Sequence, residues 1–531
     1  MITFEASHSR YSVESREGHV VHRETRMDDR GRMLAQVEGE VKFALGSGSR
    51  GISYLIEHDG RLFQSPITWY SQKNQWDLSP GYEASNLHFD RAIEPGCLFC
   101  HTNRFELIAH TLNRYEQPIF RGEAIGCERC HGPGELHAQH PEMVDGRDYS
   151  IVNPRHLEPA LRDAVCEQCH LQGDHRIDRL GRDMFDYRPG LPLIEFFAIY
   201  GRTEQQETKF VGQVEQMKRS RCFRESQGRL GCASCHDPHQ VPAPYERVAY
   251  FRQQCLACHE RKGCNLPDTV RLAESSEDSC IQCHMQPSKK TDIIHAATTD
   301  HQVLRTPQAD QTDQAPVALG LPLVLLNGDN LAPNELKSLE RELAIALATE
   351  GPRMRDSPQV RETGALVLGL LNKAVERRPD DLPAMRMKAQ ALALSGRQSD
   401  ALRVIRSALT LAPTDEKALD QYLSYAVDAK DIVAAVEIAR RAVAANPWSS
   451  VFHERLAHFS LERADYAESL RASQEALRLN PFLRFARMFM IQSLLKQHET
   501  SRADAEFDIL VKIHASQRTS LETWYAERRR N

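Results

Sequence analysis

Residues 127–137 read Cys-Glu-Arg-Cys-His-Gly-Pro-Gly-Glu-Leu-His, and the interpretation of the whole chain depends on the first five of them. The pattern Cys-x-x-Cys-His occurs six times, numbered here as motifs 1 to 6: 97–101, 127–131, 166–170, 232–236, 255–259 and 280–284. With 14 cysteines and 23 histidines in 531 residues, about 0.02 matches are expected by chance. The repetition therefore indicates one chemistry that the chain uses six times.

The spacing within each motif is typical of covalent haem attachment. Two cysteines three positions apart can bond the two vinyl groups of one haem, and the histidine that follows can ligate its iron. The sequence therefore predicts six covalently bound haems c. The predicted attachment residues are Cys97, Cys100, Cys127, Cys130, Cys166, Cys169, Cys232, Cys235, Cys255, Cys258, Cys280 and Cys283, and the predicted proximal ligands are His101, His131, His170, His236, His259 and His284.

Two other cysteine chemistries are alternatives. Paired Cys-x-x-Cys motifs can bind zinc, and a single one can be a redox dithiol. Neither explains why a histidine follows all six pairs. Two further cysteines, Cys222 and Cys264, could form a disulfide in an oxidising compartment or remain as free thiols.

The six motifs are close together in the sequence. They leave about 31 residues for each haem, which is too little polypeptide to build a conventional core, so the porphyrins must supply much of the buried apolar surface. We therefore expect neighbouring haems to touch or nearly touch. Such a row of redox centres would conduct electrons.

Histidines outside the motifs are enriched before residue 302 and could provide second, distal ligands to the irons. The candidate distal ligands are His137, His239, His295 and His301, and then His88, His110 and His175. His88, His110 and His175, together with His140 and His156, are the weaker candidates, and each of these five histidines could instead be solvated or contact a propionate. Histidines before residue 59 could also cap a haem, and Met217 and Met285 are alternatives that could equally be packing residues.

The segments on either side of the motifs have different patterns. Residues 1–92 are expected to form a small β-rich module, because apolar residues alternate from Ala35 to Leu45 and Asp59-Gly60 has the chemistry of a hairpin turn. Residues 93–301 are expected to form the six-haem domain, with little regular structure beyond short helices. Residues 302–333 are expected to be a linker.

The C-terminal segment, 334–531, is expected to be an all-α tetratricopeptide solenoid. Prolines recur every 34 residues, and alanines follow the same spacing five positions upstream. Small residues also recur where two helices of one unit would approach closely. The repeated positions are Pro379, Pro413, Pro447 and Pro481; Ala374, Ala408, Ala442 and Ala476; and Ala401, Ala435, Ser469 and Ala503.

Composition narrows the class of protein. A formal net charge of -6 argues against a nucleic-acid partner, which would need a basic field. The longest apolar run is too short to span a bilayer, which takes about 20 residues. The first residues lack the pattern of a secretory signal, although thioether attachment takes place outside the cytoplasmic membrane. We therefore expect a periplasmic or otherwise exported protein whose signal segment is missing from this chain.

At these motifs the sequence resembles the exported multihaem cytochromes, which include tetrahaem electron carriers and hydroxylamine-oxidoreductase-like proteins. The similar stretches are 127–137, 232–239 and 280–285, and the whole is similar to bacterial multihaem cytochromes fused to tetratricopeptide repeats. The resemblance implies haem c and a redox partner protein. Members often carry a further motif near their start, which is not found here and leaves the native haem count open.

Three functions follow from this interpretation. The first is electron transfer along mostly bis-histidine haems, with the repeats docking redox partners and with oligomerisation possible. The second is an oxidoreductase acting on a small nitrogen or sulfur compound at one haem with an open site, although the lysine-ligated variant Cys-x-x-Cys-Lys is absent. The third is a scaffold or wire component in which the repeats are primary.

Overall fold

The computed structural model describes residues 1–141, 143–202, 212–260, 263–275, 277–286, 299–305, 322–328, 331–354 and 360–530. The chain divides into two compact units, one formed by 1–121 with 351–531 and the other by 122–350. The segment 93–301 is therefore divided at residue 121. Motif 1 belongs to the first unit, and motifs 2 to 6 belong to the second.

The first unit begins with a β-rich sheet, as the sequence predicts. Its strands are β1 Ile2–Ala6, β2 Ser9–Arg16, β3 His19–Met27, β4 Met33–Leu45, β5 Gly51–His58, β6 Arg61–Tyr70, β7 Gln75–Leu78 and β8 Arg91–Ala92. β1 to β7 follow one another antiparallel in chain order, and β8 pairs with β6. Because β1 also contacts β7, the sheet curves into a barrel-like form.

Two sequence predictions for this sheet are confirmed. Along β4, Ala35, Val37 and Gly39 are buried while Gln36 and Glu38 are exposed, which is the expected period of two. The turn between β5 and β6 is also confirmed.

The turn residues explain why the chain reverses there. Asp59 and Gly60 both have positive φ, 51° and 79°, and His58 pairs with Arg61. A two-residue turn of this kind has the twist that an antiparallel hairpin needs.

The second unit holds short helices and small sheets. Its strands are β9 Met143–Val144, β10 Arg147–Asp148, β11 His175–Asp178, β12 Phe197–Arg202 and β13 Leu323–Leu325. After α1 Pro95–His101 in the first unit, its helices are α2 Glu128–His131, α3 Glu135–Gln139, α4 Pro159–His170, α5 Gln213–Arg219, α6 Arg221–Glu225, α7 Arg247–His259, α8 Asp268–Glu274, α9 Cys280–His284, α10 Pro333–Lys337 and α11 Glu340–Glu350.

A run of helices completes the first unit. They are α12 Val360–Arg377, α13 Leu382–Leu394, α14 Gln398–Leu411, α15 Glu416–Ala429, α16 Ile432–Ala445, α17 Ser450–Glu462, α18 Tyr466–Leu479, α19 Arg484–Lys496, α20 Thr500–Ile513 and α21 Arg518–Arg530. The starts of α13, α15, α17 and α19 are each 34 residues apart, and so are those of α14, α16, α18 and α20. The 34-residue period of the sequence is thus the period at which the helix pairs repeat.

The small residues of the repeats lie where the prediction expects close helix contact. Ala401, Ala435, Ser469 and Ala503 are all fully buried. Several helices begin at a side-chain cap, as where Asp381 and Asp415 each accept a hydrogen bond from the backbone N–H three residues on. Such caps satisfy N–H groups that have no partner within the helix.

The β-sheet packs on one edge of these repeats. We call this the loop edge, and define it as residues 412–416, 445–450 and 479–483, which join one helix pair to the next. His58 of the hairpin stacks on Trp448 with ring centroids 4.2 Å apart, and His88 stacks on Phe482 at 3.9 Å. Successive turns of the repeats therefore meet successive parts of the sheet.

No helix among the described residues is long and apolar enough to cross a membrane.

Candidate haem-binding site

Each motif lies in a single turn of helix or at its end. Motif 1 is in α1, motif 2 spans the start of α2, motifs 3 and 5 end α4 and α7, motif 6 forms α9, and motif 4 begins with the 3-10 turn 232–234. In motif 2 the backbone N–H of His131 donates to Cys127 O at 2.9 Å, and in motif 4 His236 donates to Cys232 O at 3.0 Å. Residues three apart in a helical turn share a face, so the two thiols of each motif lie on one side.

The cysteines of motifs 2 to 6 approach one another in chain order. The thiols of Cys166 in motif 3 and Cys232 in motif 4 lie close enough to shift each other's pKa, and Cys280 of motif 6 lies close enough to Cys255 of motif 5 to raise its pKa. Cys130 of motif 2 lies close enough to Cys166 to interact electrostatically.

The remaining link is between motifs 4 and 5, where Cys235 interacts with Cys258 in the same way. The five motifs of the second unit therefore form one row.

All 14 cysteines are free thiols. The structure therefore has Cys222 and Cys264 unpaired with each other, which was one of the two alternatives. Burial raises the pKa of the Cys130 and Cys235 thiols, and that of Cys255 to about 11. The raised pKa favours the uncharged thiol form of these three side chains.

Two of the motif histidines are held in the orientation that a metal ligand needs. Nδ1 of His131 lies 2.8 Å from Val152 O, and Nδ1 of His284 lies 2.7 Å from Leu304 O. A carbonyl oxygen can only accept, so Nδ1 carries the proton and the Nε2 lone pair is left to bind a metal. The sequence could not indicate Val152 and Leu304, because every residue has a carbonyl group.

Two of the predicted distal ligands lie beside motif histidines. The rings of His239 and His131 have centroids 5.9 Å apart and planes 18° from parallel. Those of His301 and His236 are 6.3 Å apart and 23° from parallel. Burial lowers the pKa of His236 and His301, which keeps both imidazoles neutral, as metal ligation requires.

The other candidates in the second unit have polar partners. Nδ1 of the half-exposed His137 lies 2.5 Å from Asp148. Nε2 of the buried His175 lies 2.7 Å from Glu350. His295 lies outside the described residues.

The two candidates in the first unit are also paired with carboxylates. Nδ1 of His88 lies 2.8 Å from the buried Glu24. Nδ1 of His110 lies 3.5 Å from Asp415. Both are in the unit that carries motif 1.

The donor set fits a covalently bound haem. Free thiols in pairs on one helical turn are next to a histidine whose Nε2 can face the iron, which is what thioether attachment with proximal ligation requires. Within the described part of the chain, no three His, Cys, Asp or Glu side chains converge on one metal position. A haem iron needs at most two protein ligands, because the porphyrin supplies four nitrogens.

Comparison with known proteins gives a distant relative. The dissimilatory sulfite reductase MccA of Wolinella succinogenes is 24% identical over 210 residues, covering 34% of this chain and 24% of the relative. The chain thus matches about a quarter of that protein's length. No family model matches the chain.

Solved structures of MamA also match part of the chain. MamA from Desulfovibrio magneticus RS-1 is 18% identical, with a TM-score of 0.30 over 34% of this chain and 97% of its own. Another MamA crystal structure is 13% identical, with a TM-score of 0.28 over 31% of this chain and 96% of its own.

Proposed function

We propose that this protein is an exported multihaem c-type cytochrome that transfers electrons along six covalently bound haems. The observation that carries the proposal is the row of motifs 2 to 6, in which the thiols of motifs 3 and 4, and of motifs 5 and 6, lie close enough to affect each other's pKa. Porphyrins bonded to such closely spaced thiols must themselves be neighbours. Close neighbours exchange electrons readily, so the row is a conduit.

The residues that would hold the haems are those of the six motifs. Each cysteine pair would form two thioether bonds, and each motif histidine would ligate iron from one side. When bound, the haem supplies a one-electron iron couple. The protein fixes the orientation of the imidazoles through Val152 O and Leu304 O and adds charge near the row, as where Arg129 Nη2 lies 3.9 Å from Cys169 Sγ.

Motif 1 would bind a haem in the first unit. In α1 the side chains of Leu98 and Phe99 are buried, so the turn is anchored in the interior of that unit. Burial raises the pKa of the Cys97 thiol. His88 and His110 are the candidate distal ligands that belong to the same unit.

The chain would work outside the cytoplasmic membrane, because haem is attached to Cys-x-x-Cys-His there. The helical repeats would dock a redox partner protein. Repeats of helix pairs present a long surface of this kind, and the loop edge is already covered by the chain's own β-sheet. We therefore assign partner docking to the remaining faces of the repeats.

The test is the haem content of the exported full chain. Intact mass spectrometry under denaturing conditions should give six haems bound covalently. Replacing both cysteines of any one motif with alanine should remove one haem and leave five, whereas C222A or C264A, outside the motifs, should leave six. Colourless protein, or zinc in place of iron, would contradict the proposal.

A second candidate function is a reductase acting on sulfite or a related oxyanion. It is favoured by the match to a protein named as a dissimilatory sulfite reductase, and it requires one haem with an open position. Sulfite or cyanide added to the purified protein would then change the spectrum of one haem. If every iron already has two protein ligands, neither compound should change the spectrum, and electron transfer alone remains.

A further inference from the structure

Four imidazoles of the second unit form two pairs, and each pair joins one motif histidine to one histidine outside the motifs. His131 of motif 2 is paired with His239, and His236 of motif 4 with His301. We propose that His239 is the distal iron ligand of the haem on motif 2 and that His301 is the distal ligand of the haem on motif 4. This assignment rests on the proposed haem content.

The separation of the rings suits one iron between them. Imidazole nitrogens bond a metal at roughly 2 Å, so two rings on opposite sides of one iron have centroids about 6 Å apart. The measured distances are 5.9 Å for His131 with His239 and 6.3 Å for His236 with His301. The ring planes are also close to parallel, at 18° and 23°.

Two stacked histidine contacts elsewhere in this chain are closer. His58 on Trp448 and His88 on Phe482 have centroids 4.2 and 3.9 Å apart, which is van der Waals contact. The two histidine pairs of the second unit are about 2 Å wider. The separation permits a metal between two ring nitrogens. The nitrogen atoms, and not the distance alone, distinguish these pairs from Phe485 and Phe489, whose centroids are 6.5 Å apart with planes 22° from parallel.

Hydrogen bonds also favour ligation through Nε2. Nδ1 of His131 donates to Val152 O, and Nδ1 of His301 donates to Thr299 O at 2.7 Å. Each pair therefore has at least one imidazole whose Nε2 lone pair is free. The backbone N–H of His301 also donates to Gln216 at 2.8 Å, which fixes the segment that carries it.

His239 is held by the turn that follows motif 4. Its backbone N–H donates to Asp237 at 2.9 Å, and its Nδ1 lies 3.5 Å from the same carboxylate. A carboxylate beside Nδ1 orients a ligating imidazole and raises its basicity. Only two residues separate His236 from His239, so one short segment would ligate two different irons.

The assignment makes the haems into links between distant segments. The haem on motif 2 would connect residue 131 to residue 239, and the haem on motif 4 would connect residue 236 to residue 301. Because His236 and His239 share one turn, the haems on motifs 2 and 4 must be adjacent. Electrons could then pass between them directly, without visiting motif 3.

The experiment replaces the distal candidates in the exported full chain and measures the iron spin state by electron paramagnetic resonance. In H239A one of the six haems should become high-spin, and added imidazole should restore the low-spin signal. The side chain of His239 is 70% exposed, so the variant should fold. H498A, at an exposed histidine of the helical repeats that is not a candidate ligand, is the control and should leave the spin state of every haem unchanged.

His301 is more buried, so H301M is used as well as H301A. Methionine at position 301 should keep that haem low-spin, raise its reduction potential and add a sulfur-to-iron charge-transfer band. A fully low-spin H239A protein, or an unchanged H301M spectrum, in protein that still carries six haems would overturn the assignment alone. Protein without covalent haem would instead refute the proposed function.

Discussion

The guanidinium of Arg61 lies 2.8 Å from the carboxylate of Glu416, and both side chains are almost completely buried. Arg61 follows the β5–β6 turn and Glu416 begins α15, so the ion pair joins the sheet to the repeats. Arg61 also donates to Ala445 O at 2.7 Å, and Glu416 accepts from Asn446 at 3.1 Å. The pair is the centre of a polar network at the loop edge.

We expect R61M to destabilise the first unit by about 3–5 kcal/mol, because it leaves the Glu416 carboxylate buried without its counter-ion. The free energy of unfolding can be followed in urea by tryptophan fluorescence, since all four tryptophans lie in this unit. R61M combined with E416L should recover part of the loss. Equal destabilisation in the single and double variants would contradict a paired role.

Trp448 should stabilise the first unit through both a ring stack and a hydrogen bond. Its Nε1 donates to Asp59 at 2.6 Å, so W448F should cost about 1 kcal/mol by removing the bond while keeping an aromatic ring on His58. W448A should cost more. The matching D59N variant allows a double-mutant cycle on the unfolding free energy, and a coupling energy near zero would show that the bond adds nothing.

His22 should make the first unit lose stability in acid. Burial lowers its pKa from 6.5 to about 4, so between these values the unfolded chain binds a proton that the folded chain does not. Stability is therefore complete above pH 6.5 and falls towards pH 4 by about 1.4 kcal/mol per pH unit. H22Q should remove this part of the slope, measured by urea unfolding across the range. An unchanged slope would mean that His22 titrates normally.

The positions of the thiols predict which disulfide forms when haem is not attached. Cys166 and Cys232 lie close enough to shift each other's pKa, so chain exported without haem into an oxidising compartment should form a disulfide between them. Peptide mapping of non-reduced protein would detect it. C232A should abolish that cross-link while leaving a cross-link between Cys255 and Cys280. A random distribution of disulfides would contradict the row of motifs.

Local patterns in the sequence predicted much of this fold. The alternation in β4, the turn at Asp59 and Gly60 and the 34-residue helical period are all set by near neighbours, and the structure confirms them. The packing of the sheet on the loop edge was not predicted. Arg61 and Glu416 are 355 residues apart, and neither position differs in pattern from an ordinary surface charge.

In the candidate site, too, the sequence predicts some features and only the structure shows the others. The motif cysteines and histidines follow from spacing alone, whereas the neighbours that orient them do not. Nothing in the sequence relates His131 to His239, which are 108 positions apart. The candidate His175 has a buried partner, Glu350, that only the folded chain brings to it.

The regular spacing of the contacts along the loop edge has a consequence for how this chain can evolve. Arrays of helical repeats change length readily, because each repeat contacts only its neighbours. Here Glu416, Trp448 and Phe482 meet fixed points on a sheet whose size is set separately. Gaining or losing one repeat between these residues would move some of them away from their partners on the sheet. A recombination event that simply lengthens a free array would therefore break the contacts between the repeats and the sheet in this chain.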